Sequence, residues 1–448
     1  MAKLSMFLPP FAGDYSGAAG VLFGLNSVNV IVDASCCTHN YTSYDEPRWK
    51  SRRRATFGAQ LRTLEATLGD DSRLLDQTED AVHELGSPCV ALIGSPVPAL
   101  VGMDLDGMAS ELEMRCGVPA FGLATTGFGT YELGASAAQE LLTDRFAEGG
   151  TCAGTNVDGA SHSAAASLCG GANGAVSGCV EGACGEAAAA TDVSAGDMNA
   201  TATAERHINI LGITVHDFGS EAAMQAAEQA ILGSDGVDRR ADQGKLPVRS
   251  AWSTAGEYSL ADIAAAGAAD ETVVATWSGL AAARLLQQRF GVPVRVGLPS
   301  VALRALPGVA AFLDGVAPGT VNGASPALCP LSSVGEMAFA GQASPSTAEA
   351  SSPLLIVHDQ IIANSLRNAL REAGVRAPIH VASFFSMDSD LAEPGDFHIE
   401  TENDLIAYAA ENPNVVIAGD PLIRRLPNAG SALRWELPHE AVSCTLYL

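Results

Sequence analysis

The sequence has few charged residues and a marked shortage of positive ones. Charged residues make up 17% of the 448, and the 25 Lys and Arg are outnumbered by 51 Asp and Glu, which gives a formal net charge of −26. Nucleic-acid-binding proteins neutralise phosphates with clustered Lys and Arg. The one basic cluster, residues 48–54, is too short to reverse the acidic balance. We therefore expect no nucleic-acid partner.

Long hydrophobic runs are also missing, although 47% of the residues are hydrophobic. No uncharged apolar run reaches the roughly 18 residues that a membrane-spanning helix needs, so we expect no membrane partner. The first ten residues carry one Lys and no useful apolar stretch, so no signal peptide is predicted. Ten cysteines without an export signal favour a reducing, cytoplasmic location, where thiols serve burial or metal binding.

Several catalytic motifs do not occur. The sequence has no Gly-x-x-x-x-Gly-Lys-Ser/Thr, so the chain should not hydrolyse ATP through a P-loop. It has no Gly-x-Ser-x-Gly and no His-Glu-x-x-His, which leaves hydrolase functions without support. Gly127 and Gly129 look like the start of a dinucleotide fingerprint, but Glu132 stands where the third glycine belongs. We therefore expect no NAD site.

Short, continuously apolar runs alternate with helical patterns along the chain. Such continuous apolarity is typical of parallel strands that helices cover on both faces. Repeated strand–helix units of this kind predict doubly wound parallel sheets, with ligands at the carboxyl ends of the strands. The predicted strands are residues 28–32, 89–93, 208–213, 272–276, 354–357 and 415–418.

Helix boundaries can be read at two places near the C-terminus. Asp359 is a plausible N-cap and Gly374 a plausible C′ residue of one helix. Thr401 with Asp404 resembles a capping box at the start of another. A further helical face is formed by three leucines, Leu61, Leu64 and Leu68.

The chain length favours roughly three domains of about 150 residues each. We predict three Rossmann-like α/β domains at residues 1–145, 206–314 and 353–448. Residues 146–205 are nearly half Gly and Ala and predict a low-complexity insertion, whereas 315–352 predict a linker. The insertion contains four cysteines and a histidine at loose spacings that do not match zinc or ferredoxin motifs: Cys152, Cys169, Cys179, Cys184 and His162.

Two adjacent thiols follow the first predicted strand. Asp33 ends the apolar run 28–32, and Cys36 and Cys37 come three and four residues later. This position is the carboxyl end of a strand, where open α/β sheets keep their sites. Thiolates there suit iron–sulfur or zinc chemistry better than magnesium or calcium. The alternative is one buried and one turn cysteine, both inert.

The order of several segments resembles nitrogenase component 1, and in particular the short nitrogenase-like proteins of anaerobes. The resemblance spans about 1–145 and 206–448. The wider family includes the catalytic subunits of dark-operative protochlorophyllide reductase and the scaffold on which the nitrogenase cofactor is built. The segments are residues 9–17 (PPFAGDYSG), 33–38 (DASCCT), 91–104 (ALIGSPVPALVGMD), 117–122 (GVPAFG), 126–129 (TGFG), 415–422 (VVIAGDPL) and 437–441 (LPHEA).

The resemblance implies that Cys37 is a cluster ligand, because it matches a cluster-ligating cysteine of the family. The family's other cluster cysteines would fall near Ala12 and Ser95, where this chain has no thiol, and His439 is a stand-in for its cofactor histidine. Two routes remain open. Two chains could pool Cys37 and Cys36 in a shared iron–sulfur cluster, with Asp14 or Asp33 completing the ligand shell. Alternatively, the chain keeps the fold and has lost the metal.

The implied function is an oxidoreductase subunit that receives electrons from a separate ATP-dependent iron protein. Its partner across the shared cluster would be a second copy or a related subunit. Relatives reduce a triple bond or a conjugated tetrapyrrole ring, so the fold does not name the reaction. The alternatives are a scaffold or maturase for a metallocofactor and a metal-free partner subunit. Arg48, Trp49 and Arg52 to Arg54 are expected to form a surface that docks an acidic reductase or an anionic substrate.

Overall fold

A computed structural model describes residues 5–34, 36–149, 205–235, 247–316 and 353–443. The predicted insertion and linker lie almost entirely outside these residues, and so do the insertion's cysteines and His162. The predicted domain boundaries therefore stay predictions. In the part of the chain that is described, no helix is long and apolar enough to span a bilayer.

The first sheet has four parallel strands in the order β2-β1-β3-β4. The strands are β1 (Val28–Ile31), β2 (Thr56–Gly58), β3 (Val90–Ile93) and β4 (Ala120–Leu123). The helices of this part are α1 (Asp14–Leu22), α2 (Cys36–Asn40), α3 (Thr63–Leu68), α4 (Ser72–Leu85), α5 (Pro96–Val101), α6 (Leu105–Cys116) and α7 (Tyr131–Phe146).

The second sheet also has four parallel strands, in the order β6-β5-β7-β8. They are β5 (Arg206–Leu211), β6 (Val248–Ser253), β7 (Glu271–Val274) and β8 (Val294–Val296). The helices are α8 (Val215–Phe218), α9 (Glu221–Asp235), α10 (Leu260–Ala265), α11 (Leu280–Phe290), α12 (Ser300–Leu303) and α13 (Val309–Val316).

The third sheet has five parallel strands in the order β11-β10-β9-β12-β13. The strands are β9 (Leu354–Val357), β10 (Ile379–Ser383), β11 (Phe397–His398), β12 (Val416–Gly419) and β13 (Leu433–Glu436). The helices are α14 (Gln360–Glu372), α15 (Glu402–Glu411) and α16 (Ala429–Ala432). The prediction of three Rossmann-like, doubly wound parallel sheets is confirmed.

The capping residues act as the sequence predicts. The Asp359 carboxylate accepts hydrogen bonds from the first backbone N–H groups of α14, and Gly374 has a φ of +93° just after that helix. Thr401 and Asp404 form the expected capping box of α15. The three leucines behave differently. Leu61 precedes α3, while Leu64 and Leu68 are 68% and 69% exposed and do not face a core.

Two glycines bring α1 and α7 into backbone contact. A β-carbon on Gly17 would overlap the backbone of Tyr131, and one on Gly134 would overlap the backbone of Asp14. Only glycine allows so close an approach. The contact fixes the first residue of α1 beside the first turn of α7, which positions a side chain for each of the two sites described below.

The basic cluster is not the open surface that the sequence suggested. Arg48 is 3% exposed and forms a buried ion pair with Glu46, with Nε 2.6 Å from Oε1. Its guanidinium also lies 4.3 Å from the ring centroid of Phe23. Arg52 and Arg54 both pair with Glu257. The expected docking surface is therefore wrong for these three arginines, because Glu46 and Glu257 already pair with them.

Candidate functional site

The thiol pair forms the first two residues of α2, which follows β1 at the carboxyl end of the first sheet. Cys37 is 7% exposed, whereas Cys36 is exposed. Their sulfur atoms are 4.0 Å apart. One thiol thus faces the protein interior and its neighbour faces outward, so a group bound between them would sit at the edge of the fold.

Asp33 is fully buried beside this pair. Its Oδ2 accepts a hydrogen bond of 2.8 Å from the backbone of Thr38, which fixes the start of α2. Its Oδ1 has no hydrogen-bond partner among the described residues. A buried carboxylate oxygen without a donor is costly unless a cation or water satisfies it. Asp33 is therefore placed where the sequence predicted a ligand, with one oxygen available.

The buried thiol is held in its neutral form. Burial, and after it the nearby Cys36 and Asp33, raise the pKa of Cys37 to about 12, while the nearby Ser95 acts in the opposite direction. Because the metal ligand is the thiolate, Cys37 can bind a metal only if the bound cation offsets these costs. The site can therefore bind a strongly attracting soft cation, but it does not provide an activated nucleophile.

Asp14 lies at the start of α1 and organises the glycine-containing loop before α7. Its Oδ1 accepts hydrogen bonds from the backbone N–H groups of Tyr15 at 2.8 Å and Gly127 at 2.6 Å. Its Oδ2 accepts from the backbone and hydroxyl of Thr126 at 3.0 and 3.1 Å. Both oxygens of Asp14 thus accept hydrogen bonds. A ligand role for Asp14 stays a prediction, and a metal ion would have to replace some of these hydrogen-bond donors.

The ligand set of one chain is incomplete. Within the described ranges, no group of three or more His, Cys, Asp or Glu side chains is arranged to hold a metal ion. Iron–sulfur clusters generally take four cysteine ligands. The structure places the sulfurs of Cys36 and Cys37 side by side, with Asp33 near Cys37. The pair could therefore offer two ligands, and a metal centre there would need further ligands from outside the chain.

A second polar site, which the sequence did not reveal as a group, joins all three sheets. The Tyr131 hydroxyl, at the start of α7, donates a hydrogen bond of 2.6 Å to Oδ1 of Asp217 in α8. Nε2 of His439, which follows β13, lies 3.2 Å from the same oxygen. The Thr214 hydroxyl donates to Oδ2 at 2.6 Å. We call Tyr131, Asp217 and His439 the central triad.

The surroundings of the central triad shift the pKa of Asp217 and of two neighbouring histidines, His216 and His358. Burial would raise the pKa of Asp217, but the hydrogen bond and charge of His439, together with Thr214 and Tyr131, lower it. Burial lowers the pKa of His216 and of His358 to about 3, so both rings are neutral near pH 7. The ring of His216 stacks on Tyr131, with centroids 4.8 Å apart.

His439 is not placed as a free cofactor ligand. Its Nε2 is engaged by Asp217, and its Nδ1 accepts from the backbone of Ala441 at 3.4 Å. Its ring stacks on Phe385, with centroids 4.9 Å apart. The adjoining cavity of about 30 Å³, lined mainly by apolar side chains and by His358, has room for about one water. The described side chains thus leave no space here for a large cofactor.

One sequence feature indicates a polar site near the central triad. His358 and Asp359 directly follow β9, and polar residues after a buried strand are candidates for a site. Burial, followed by the charge of Asp217, raises the pKa of Asp359 to about 7. Asp217 and Tyr131 carry no recognisable motif, and their contact joins positions 86 residues apart.

Comparison with known proteins agrees with this architecture. A family model described as nitrogenase component 1 type oxidoreductase matches residues 14–390. The solved structure of nitrogenase Cp1 at pH 6.5 aligns with a TM-score of 0.52 and 10% identity, over 98% of this chain and 88% of the other. The same protein at pH 5 aligns with a TM-score of 0.48 and 13% identity, over 88% and 70% of the two chains.

The structural likeness concerns the fold, since the identities are low. No curated protein sequence matches the chain. The family model covers most of the chain, including both the thiol pair and the residues of the central triad in α7 and α8. This chain therefore belongs to the nitrogenase component 1 type oxidoreductase family.

Proposed function

We propose that the chain is a subunit of a nitrogenase-like oxidoreductase whose metal centre is bound by Cys36 and Cys37. The observation that carries the proposal is the thiol pair at the carboxyl end of β1, with one sulfur buried and one exposed. A redox centre at such an edge is within reach of an external electron donor. Because the sequence has no P-loop, that donor would be a separate ATP-dependent iron protein.

Each residue of the site has a distinct role in this proposal. Cys37 binds the centre from the interior, and Cys36 binds it from the solvent side. Asp33 supplies a buried carboxylate oxygen that lacks a donor. Ser95 is close to Cys37, and its hydroxyl donates a hydrogen bond of 2.7 Å to the backbone carbonyl of Val32. When bound, an iron–sulfur centre accepts and passes on single electrons.

The centre would be shared between subunits. One chain offers two cysteine sulfurs at this place, and a cluster with four cysteine ligands needs two more. A second copy of this chain or a related subunit would provide them. The exposed position of Cys36 supports this arrangement, because it leaves that side of the pair open to a partner.

A second candidate function is a scaffold for a metallocofactor or a metal-free partner subunit. The cavity that adjoins His439 measures about 30 Å³ and has room for about one water. A catalytic subunit would be expected to enclose a substrate space beside its metal. A metal centre held partly by the exposed Cys36 is what a scaffold would present.

Iron and sulfide analysis after anaerobic purification tests the proposal. The full chain should retain iron and acid-labile sulfide, and Cys37→Ala should lose both, together with its dimer affinity. Cys116→Ala is the matched control, because Cys116 is a half-buried thiol at the end of α6 and outside the site. Less than about one iron per two chains would rule out the redox function and favour a metal-free subunit.

A reduction assay separates the remaining two functions. Single-electron reduction of the retained centre by an iron protein with ATP supports the oxidoreductase. Transfer of the metal to an acceptor protein, without turnover, supports the scaffold.

A further inference from the structure

We infer that Cys36 and Cys37 of one chain bind the same metal ion as a two-sulfur chelate, and that a second copy supplies the matching pair. The inference deepens the proposed function, on which it rests for the place of the metal, and it changes the kind of centre expected there. The centre would be a tetrathiolate ion or a two-iron cluster rather than a four-iron cubane.

The separation of the two sulfurs carries the first step. In a tetrahedral thiolate site the metal–sulfur distance is about 2.3 Å, which places two ligand sulfurs about 3.8 Å apart. The sulfurs of Cys36 and Cys37 are 4.0 Å apart. They can therefore occupy two positions on one metal ion with little movement.

A four-iron cubane makes a different demand. Each of its cysteines binds a different iron, so the ligand sulfurs point outward from separate corners and are far apart. With sulfurs 4.0 Å apart, the observed side-chain conformations do not reach two corners, and at least one thiol would have to rotate away from the other. A mononuclear site and a two-iron cluster both place two cysteines on one metal ion, and this chemistry matches the pair.

Two positions of a tetrahedral metal ion would stay open after Cys36 and Cys37 bind it, and a second copy of the chain can fill them. The described part of the chain provides no third protein ligand in a metal-binding group, and Cys36 faces solvent. Large apolar side chains are exposed in β2, in α5 and in the loop between β4 and α7, with Phe57 at 43%, Leu100 at 75% and Phe128 at 73%. A two-fold axis through the metal centre would bring an identical sulfur pair and apolar rim to the same place.

Segments next to the thiol loop carry this apolar rim. A side chain at Gly58, which follows Phe57, would meet the Thr38 side chain in α2. A side chain at Gly127, which precedes Phe128, would meet Pro96 at the start of α5. Pro96 follows Ser95, which is close to Cys37. The exposed rings are thus close in sequence to residues that contact the thiol site.

Titration with Co²⁺ under anaerobic, reducing conditions tests the inference on the full chain. We expect thiolate-to-metal charge-transfer and tetrahedral ligand-field bands that saturate at one Co²⁺ per two chains. Light scattering should show the dimer forming over the same titration. Cys36→Ser and Cys37→Ser should each lose the bands and the metal-dependent dimer, whereas Cys116→Ser should retain both. Circular dichroism of each variant checks that it is folded.

Three outcomes would overturn the inference: saturation at one Co²⁺ per chain without dimerisation, bands that survive in Cys36→Ser, or reconstitution of a four-iron cluster with Cys36 dispensable. The last outcome would leave the proposed redox function intact. Conversely, a Co²⁺-linked dimer in a protein that takes up no iron would uphold the sulfur chelate while contradicting the redox function. Reconstitution with iron and sulfide distinguishes a two-iron cluster, which contains sulfide, from a mononuclear site, which does not.

Discussion

Tyr131 and Asp217 link the first and second sheets through a buried hydrogen bond of 2.6 Å between the phenol and Oδ1. Asp217 also accepts from Thr214 and lies 3.2 Å from Nε2 of His439, so one carboxylate is held by groups from all three parts of the fold. Burial and the nearby carboxylates raise the pKa of Tyr131 well above 10. The phenol therefore keeps its proton and remains the donor of this hydrogen bond.

Removal of this hydroxyl should destabilise the protein. We expect Tyr131→Phe to lower the free energy of unfolding by about 1.5–3 kcal/mol, the usual range for a hydrogen bond to a charged group. Urea denaturation measures the difference. Tyr408→Phe, which alters a half-buried ring on α15, should change stability by less than about 0.5 kcal/mol. Equal effects in the two variants would contradict a special role for the Tyr131 bond.

His358 should make the protein sensitive to acid. Burial and the nearby His439 lower the pKa of its ring from 6.5 to about 3. Between these pH values the unfolded chain binds a proton that the folded chain excludes, so stability is lost as the pH falls below 6.5. His358→Gln should show a shallower loss, with a difference of the order of 1–2 kcal/mol at pH 5.

Stability curves from pH 7 to pH 4 measure this effect. His83→Gln serves as the control, because the His83 side chain is 60% exposed on α4, and its curve should follow that of the unsubstituted protein. Parallel curves for all three proteins would show that His358 carries no acid-linked energy.

The glycine contact between α1 and α7 should not tolerate a side chain. A β-carbon on Gly134 would overlap the backbone of Asp14, so the helices must separate. We expect Gly134→Ala to cost about 3 kcal/mol or more, at the upper end of overpacking effects. Gly233→Ala is the matched control, because Gly233 lies in α9 and a β-carbon there meets nothing within 4 Å.

Thermal unfolding measures both glycine variants. Gly233→Ala should be neutral or should stabilise by up to about 1 kcal/mol, through helix propensity. A stable Gly134→Ala protein with an unchanged melting temperature would mean that α1 and α7 can separate at little cost.

Glu402 should hold the N-terminal segment in place. Its carboxylate accepts hydrogen bonds from the backbone N–H groups of Met6 at 2.9 Å, Phe7 at 3.0 Å and Leu8 at 2.6 Å. Glu402→Gln keeps the shape but removes the charge, and should increase amide exchange in residues 6–8 by roughly tenfold, because charge-assisted bonds are about twice as strong as neutral ones. Glu411→Gln, at the other end of α15, should leave this exchange unchanged.

The sequence predicted the fold well because its signals are local. Each apolar run overlaps an observed strand, and Asp359 and Thr401 cap their helices through residues two or three positions away. The position of Cys37 at a strand end was predicted for the same reason. The central triad could not be predicted, because Tyr131 and Asp217 meet only after two sheets pack together.

The arginine cluster illustrates a different source of error. A run of basic residues is usually solvated, and the sequence gives no sign that Arg48 turns inward toward Glu46. The partner of Arg52 and Arg54, Glu257, is about 200 residues away, so this pairing too depends on tertiary structure.

The glycine contact also means that α1 and α7 are expected to move together. Asp14, the first residue of α1, accepts a hydrogen bond from Gly127 in the loop before α7. Tyr131, the first residue of α7, donates a hydrogen bond to Asp217. A displacement of either helix would pull on the loop beside the first sheet and strain the triad at the same moment. The loop at Gly127 and the central triad are therefore expected to shift together, because Gly17 and Gly134 hold the two helices in backbone contact.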